Sequence, residues 1–327
     1  MLFTALVSSM LLFVGDPVAI EPASPNAEPK ESAPQAPAEV APKIEMISNG
    51  EAPRSLARLA LKAGDVQLAV MEMDMQIKMA MEGAEQATPP MPTFAVHMRI
   101  TVDEAMPDGR WKYRCEFTSV DVKSTDKTPP GMVTMIKAAM SEMAGMKIGA
   151  EIDALGRQRN FEIVSKITNP MLLQQLESMK QSLAQMAVLL PEVEVGVGAK
   201  WEVESLAQLG GVASRQRATY RLISRDGDAV TLGVSMRQSP AEKNAPIKNL
   251  PANVTGTLID LSGEGKGEMV YVLTQLMPKQ GRMTGESVVN MNMEGQGMKA
   301  KIDTHTTMLM TIRPAIVADE TPAQTKP

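Results

Sequence analysis

The side chains in this sequence best placed to do chemistry are methionines. Along Met71–Met81, MEMDMQIKMAM, the odd positions are methionine except for Ile77. A thioether is a soft ligand that selects Cu(I), and M-x-M spacing on a strand sets successive sulfurs on one face about 6–7 Å apart. Met73 and Met75 would be the ligands of such a site. Copper sites usually recruit His or Cys as well. The two histidines, His97 and His305, fall on the opposite faces of their strands and read as solvated. The same stripe also fits an apolar ligand cavity, and it fits the plain dry side of a β-strand.

Other chemistry is thin. No nucleophile elbow, Walker loop, H-E-x-x-H, dinucleotide fingerprint or C-x-x-C is present, so no catalytic residue, no cofactor and no enzyme activity is implied. Gly263–Gly267, GEGKG, lacks the Ser/Thr and the strand-to-helix setting of a phosphate loop and reads as a turn between two strands. Glu72 and Asp74 alternate outward and read as solvated charges. Cys115 is the only cysteine and shares its parity with Trp111, Tyr113 and Phe117, which marks it as a small buried hydrophobe.

Composition narrows the class. The chain carries 28 methionines but only 3% aromatic residues, so Met, Leu, Ile and Val must supply the core volume. The formal charge of −5, with no basic block and no aromatic stacking set, argues against nucleic acid and against a polybasic membrane contact.

The elements that must position these residues follow from periodicity. Residues 2–14 form a 13-residue apolar run with the size of a secretory h-region, so residues 1–20 are expected to be a signal peptide. Residues 21–50, rich in Pro, Ala and Glu, are expected to be a disordered spacer, and 316–327 a disordered tail. Between them, 51–315 reads as a single β-rich domain of an exported, periplasmic or extracellular protein without a transmembrane anchor in its mature form.

Inside that domain, period two predicts strands over Met71–Glu82, Phe94–Val102 and Trp111–Phe117, joined as a meander. A helical insert is expected at about 131–146, then a hairpin over 147–164 turning at Leu155-Gly156. A second helix is expected at about 170–190, carrying Leu172, Leu176, Met179 and Leu183 on one stripe. Hairpins follow over 215–237, 254–276 and 283–313, and the last strand sets Ile302, Met308 and Met310 on one face. Long antiparallel strands with one wet face predict a mainly β (α+β) fold. Its sheet is strongly curved and half-barrel-like, with two helices covering the apolar concave face.

This order of elements resembles a family of exported bacterial proteins known only as a domain of unknown function. The resemblance spans residues 60–312. It is carried by Gly64-Asp65 before the Met-rich strand, the Leu155-Gly156-Arg157 turn, LLPEVEVGVGAKW at Leu189–Trp201, and IDLSGEG at Ile259–Gly265. It brings no catalytic residues. The architecture also looks like the half-barrels that carry lipoproteins or lipids across the bacterial periplasm.

The first functional expectation is therefore a non-enzymatic carrier of a lipid or an acylated protein. Its apolar face would comprise Met71, Met73, Met75, Ile77, Met79, Met98, Ile100, Leu172, Leu176, Met179, Leu183, Met291, Met293, Ile302, Met308 and Met310. The alternatives are an envelope interaction module with a filled core, and Cu(I) handling.

Overall fold

The structure, a computed structural model, describes residues 42–124, 128–141, 143–164, 188–209, 212–247, 250, 253–295 and 298–315. Alternating apolar and polar residues build the strands β1 (Lys43–Ser48), β2 (Val66–Met81), β3 (Ala84–Gln86), β4 (Thr93–Ala105) and β5 (Trp111–Lys123). After the helix α1 (Pro130–Ser141) come β6 (Lys147–Ile152), β7 (Gln158–Val164), β8 (Lys200–Leu209) and β9 (Val212–Asp226). The chain ends through β10 (Ala229–Pro240), β11 (Val254–Val272), β12 (Gln280–Gly295) and β13 (Met298–Pro314).

All thirteen strands belong to one antiparallel sheet, ordered β1-β8-β9-β10-β11-β12-β13-β2-β4-β5-β6-β7, with β3 appended to β2. Because β13 pairs with β2, the last strand returns to the start of the domain. The outer strands β1 and β7 do not pair, so the sheet is not closed into a barrel. One face nevertheless buries both wings in a single cluster. Phe94, Met98, Phe117 and Ile148 from β4–β6 belong to it, as do Trp201, Tyr220, Leu232 and Tyr271 from β8–β11. Side chains so far apart in strand order can share a core only if the sheet curls around that face.

One end of the curl is closed by two irregular segments. Leu59 N–H donates to Ala154 O (2.9 Å) and Ala60 N–H to Leu273 O (2.8 Å), so residues 55–61 cross from the β6–β7 turn to the end of β11. Leu190 N–H donates to Leu155 O (2.9 Å), and Ser55 and Val195 exchange two backbone bonds. Leu59, Leu61, Val188, Leu189, Leu190 and Val195 are buried beneath these crossings. Gly156 has φ +83°, and a Cβ there would lie 2.1 Å from Val188 O. Only glycine fits this turn, which explains the Leu155-Gly156-Arg157 signature. Trp201 is buried at the centre, donating Nε1–H to Leu189 O (2.8 Å) and stacking on Tyr220 with ring centroids 5.5 Å apart.

Four expectations are corrected. First, Gly263–Gly267 is not a turn, because β11 runs unbroken from Val254 to Val272. Gly263, Gly265 and Gly267 fall on one face, and a Cβ at Gly267 would lie 2.2 Å from Arg282 O and 2.6 Å from Met283 Cγ. These glycines make room for neighbouring side chains, and none of them has the left-handed φ of a tight turn. Second, part of the expected spacer is folded. β1 pairs with β8 and sets Ile44 opposite Val203 and Met46 opposite Trp201.

Third, the expected second helix does not reach 190, and among the described residues the helix is α1. The expected second helix lies outside the described residues up to 187, and Val188–Leu190 are non-helical. Fourth, His97 is buried, with Nε2 3.1 Å from Asp121 Oδ2. The outer face of β2 and β4 is locally dry there, since Val70 and Ala95 are also buried. Half-buried long side chains such as Arg99, Glu72 and Arg313 surround it, their stems shielding the small residues beneath.

Candidate functional site

The apolar residues singled out from sequence divide into two groups along the strands. Met71, Met73, Met75, Ile77, Met98, Ile100, Met308 and Met310 are buried. Met79, Met291, Met293 and Ile302, toward the opposite end of the strands, are half-buried, and Met81 is exposed; beside them Leu258, opposite Met291, is fully buried where residues 245–247 pair back onto β11. Leu172, Leu176, Met179 and Leu183 lie outside the described residues. The inner face is therefore sealed over much of its length and loosens only along β12, β13 and β2 at this second, more open end.

Register shows how the middle is filled. Met236 on β10 stands opposite Gly265, Gly265 opposite Gly285, Gly285 opposite Met308, and Met308 opposite Met75. Two adjacent glycines leave the centre of this row without side chains. Met236 Cε lies 3.6 Å from where a Gly265 Cβ would stand, and Met75, Ile77, Met236 and Met308 form a separate buried cluster with Met91 packed against it. Methionine's three rotatable bonds suit it to such a gap.

The next row toward the open end is polar. Ser205, Gln216, Gln238, Gly263, Ser287 and Thr306 follow one another across β8–β13. All five side chains are buried. Gln238 Nε2 donates to Ser214 Oγ (3.1 Å). Ser205 Oγ, in this row, and Thr304 Oγ1, one row beyond, are buried without a protein partner among the described residues. Sequence inspection missed this belt, although Ser, Gln and Thr at inward parity carry the signal.

A cavity of about 1220 Å³ opens against β8–β13 and β2, lined chiefly by residues of the polar outer face. Its lining includes Arg217, Arg237, Lys266, Glu264 and Glu286 with several hydroxyls. A twisted sheet is saddle-shaped, so each face is concave along one diagonal. Arg217 lies 3.1 Å from Glu202 and 2.8 Å from Glu204. The hydrogen bond from Arg217 holds the Glu204 carboxyl below its ordinary range. Arg237 stands directly opposite Arg217 and Glu264 opposite Glu286, so like charges face each other across strands. Cross-strand pairs of like charge are unfavourable, and here the two arginines are offset by carboxylates, Arg217 by Glu202 and Glu204 and Arg237 by Glu264. Arg237 lies 3.8 Å from Glu264, and Glu286 3.8 Å from His305.

The remaining reactive groups are muted. Burial pushes the Cys115 thiol up to about 12, with a smaller push from Glu116. The thiolate, which is the nucleophile, is thereby disfavoured. Among the described residues no group of three or more His, Cys, Asp or Glu could hold a metal ion. No described helix is long and apolar enough to cross a membrane.

Comparison with known proteins adds little. No family model and no curated protein matches this chain. Among solved structures, the chain is similar to OccK11 (OpdR) of Pseudomonas aeruginosa, at 7% identity over 78% of this chain and 99% of that one. The TM-score is 0.22, a value at which the likeness carries no argument about fold or function.

Proposed function

We propose that this chain is a non-enzymatic, exported interaction module of the cell envelope, with a methionine-rich core filled by its own side chains. In this reading its contacts run through the polar trough on the outer face. One observation carries it. Met75, Ile77, Met236 and Met308, in the row that holds Gly265 and Gly285, are buried in one cluster at the middle of the inner face, while the 1220 Å³ cavity is lined chiefly by the opposite face.

A second reading has its own observation. Met79, Met291, Met293 and Ile302 are half-buried and Met81 is exposed, so a hydrophobic tail has a landing surface at the open end. Such a methionine surface re-packs around variable tails. Native mass spectrometry on protein purified from the envelope fraction separates the two. A mass equal to the polypeptide alone is expected, together with a protein partner captured by crosslinkers placed at Lys266. A stoichiometric lipid that survives purification would overturn the filled-core reading in favour of a carrier.

A further inference from the structure

We propose that Met75, Met236 and Met308, with Met91 beside them, form a soft-metal site for a monovalent d10 cation of the Cu(I) class. This inference does not depend on the envelope-module reading. The M-x-M spacing of Met73 and Met75 suggests two neighbours on one strand as ligands. The fold pairs them differently: Met73 joins the main core, while Met75 joins a small cluster in which three of the four members are methionine.

Three strands contribute to that cluster. β10 and β13 are three steps apart in the sheet, about 14 Å at the usual interstrand spacing. Neither Met236 nor Met308 could reach the other past ordinary side chains. Gly265 and Gly285, directly between them in register, remove those side chains. Met236 Cε lies 3.6 Å from where a Gly265 Cβ would stand, so the thioether bends over the glycine toward β13. Met308 meets Met75 as its direct cross-strand neighbour. Met91 approaches from the segment before β4, which Thr88 Oγ1 ties down by donating to Ile77 O (2.6 Å).

The donor set decides the ion. Thioethers are neutral and polarizable, and they compete poorly with water for Mg²⁺, Ca²⁺ or Zn²⁺ but well for Cu(I). A bare cation in a dry interior is costly. The site is not uniformly apolar, since Gln238, Ser287 and Thr306 are buried one register row away and offer neutral oxygen dipoles. Met236 and Met308 also line the open cavity, along with Gly265 and Gly285.

Silver(I) is a redox-inert probe for this ligand set. Full-length protein carrying 13C-methyl methionine is titrated with Ag(I) in chloride-free buffer containing excess free methionine as competitor. The Met75, Met236 and Met308 methyl signals are expected to shift together and saturate at one equivalent. Met236→Leu and Met308→Leu conserve volume and so retain the fold. Each is expected to weaken binding by about tenfold or more while leaving Tm near that of the parent. Met98→Leu, in the main core, is expected to leave binding unchanged. Shifts scattered over methionines of the whole chain, no saturable site, or full binding by both cluster variants would each overturn the proposal. Anaerobic Cu(I) transfer from a chelator then tests the physiological ion, and failure to compete for it would restrict the site to silver and overturn the copper assignment.

Discussion

The two ends of the curled sheet use the same inward face for different ends. At the closed end, two crossing segments seal Trp201, Tyr220, Leu189 and Leu190 in contact with both wings. At the open end, the same strands continue with Met79, Met291, Met293 and Ile302 only half-buried, above a belt of Ser, Gln and Thr. Methionine at inward parity therefore does not define one kind of site. What differs is the cover, and cover comes from irregular chain that period-two reading does not detect.

The sharpest way to break this contrast is Trp201→Ala. It removes a buried indole, its stack on Tyr220 and its hydrogen bond to Leu189 O. A loss of about 3–5 kcal/mol is expected in urea denaturation. A loss below about 1 kcal/mol would show that the closed end does not anchor the fold.

A matched pair sharpens it further. Met71→Ala, in the sealed part of the stripe, should cost about 2–5 kcal/mol. Met291→Ala, at the half-buried end, should cost less than about 1 kcal/mol. Equal costs would mean that the open end is covered as well as the closed one.

Alkaline titration probes the buried thiol and phenols of the core. Unfolded, the Cys115 thiol and the Tyr220 phenol ionise near 9.0 and 10.0; folded, burial pushes both up to about 12. Between those values the unfolded chain has released protons that the folded chain keeps. Stability should therefore fall as pH rises from 9.0 toward about 12, by about 1.4 kcal/mol per pH unit for each group, with Tyr113 and Tyr271, also pushed up by burial, adding to the fall above 10.0. In Cys115→Ala the decline should begin only near 10.0, as followed by Tm against pH.

The smallest effect belongs to the outer face. Arg217→Ala breaks contacts to Glu202 and Glu204, yet exposed pairs are worth about 0–1 kcal/mol. A change of that size, which shrinks in high salt, is expected. A larger one would mean that the trough charges help hold the fold.

Much of the architecture was legible before the structure. Alternation of Met71, Met73 and Met75 with Glu72, Asp74 and Gln76 marked β2, and the hairpins around Leu155-Gly156, Asp226-Gly227 and Gly295-Gln296-Gly297 were read from turn chemistry. GEGKG was misread because glycine's commonest local meaning is a turn. Its meaning here depends on Met236, Gln238 and Met283, which belong to other strands. His97 was misread for a similar reason: its parity is outward, but Asp121 and the buried Val70 and Ala95 make that patch dry. β1 was hidden in a Pro- and Ala-rich stretch, and only its pairing with Val203 and Trp201 makes KIEMIS a strand.

By itself the sequence determined which residues face inward, because side-chain direction in a strand alternates with a period set by covalent geometry. It also determined that methionine, more than aromatic residues, would supply the volume. Only the tertiary structure decided which methionines meet. Met236 and Met308 share one buried cluster, with two glycines from other strands standing between them in register. Register and curl are properties of the whole sheet, and no local window of sequence contains them.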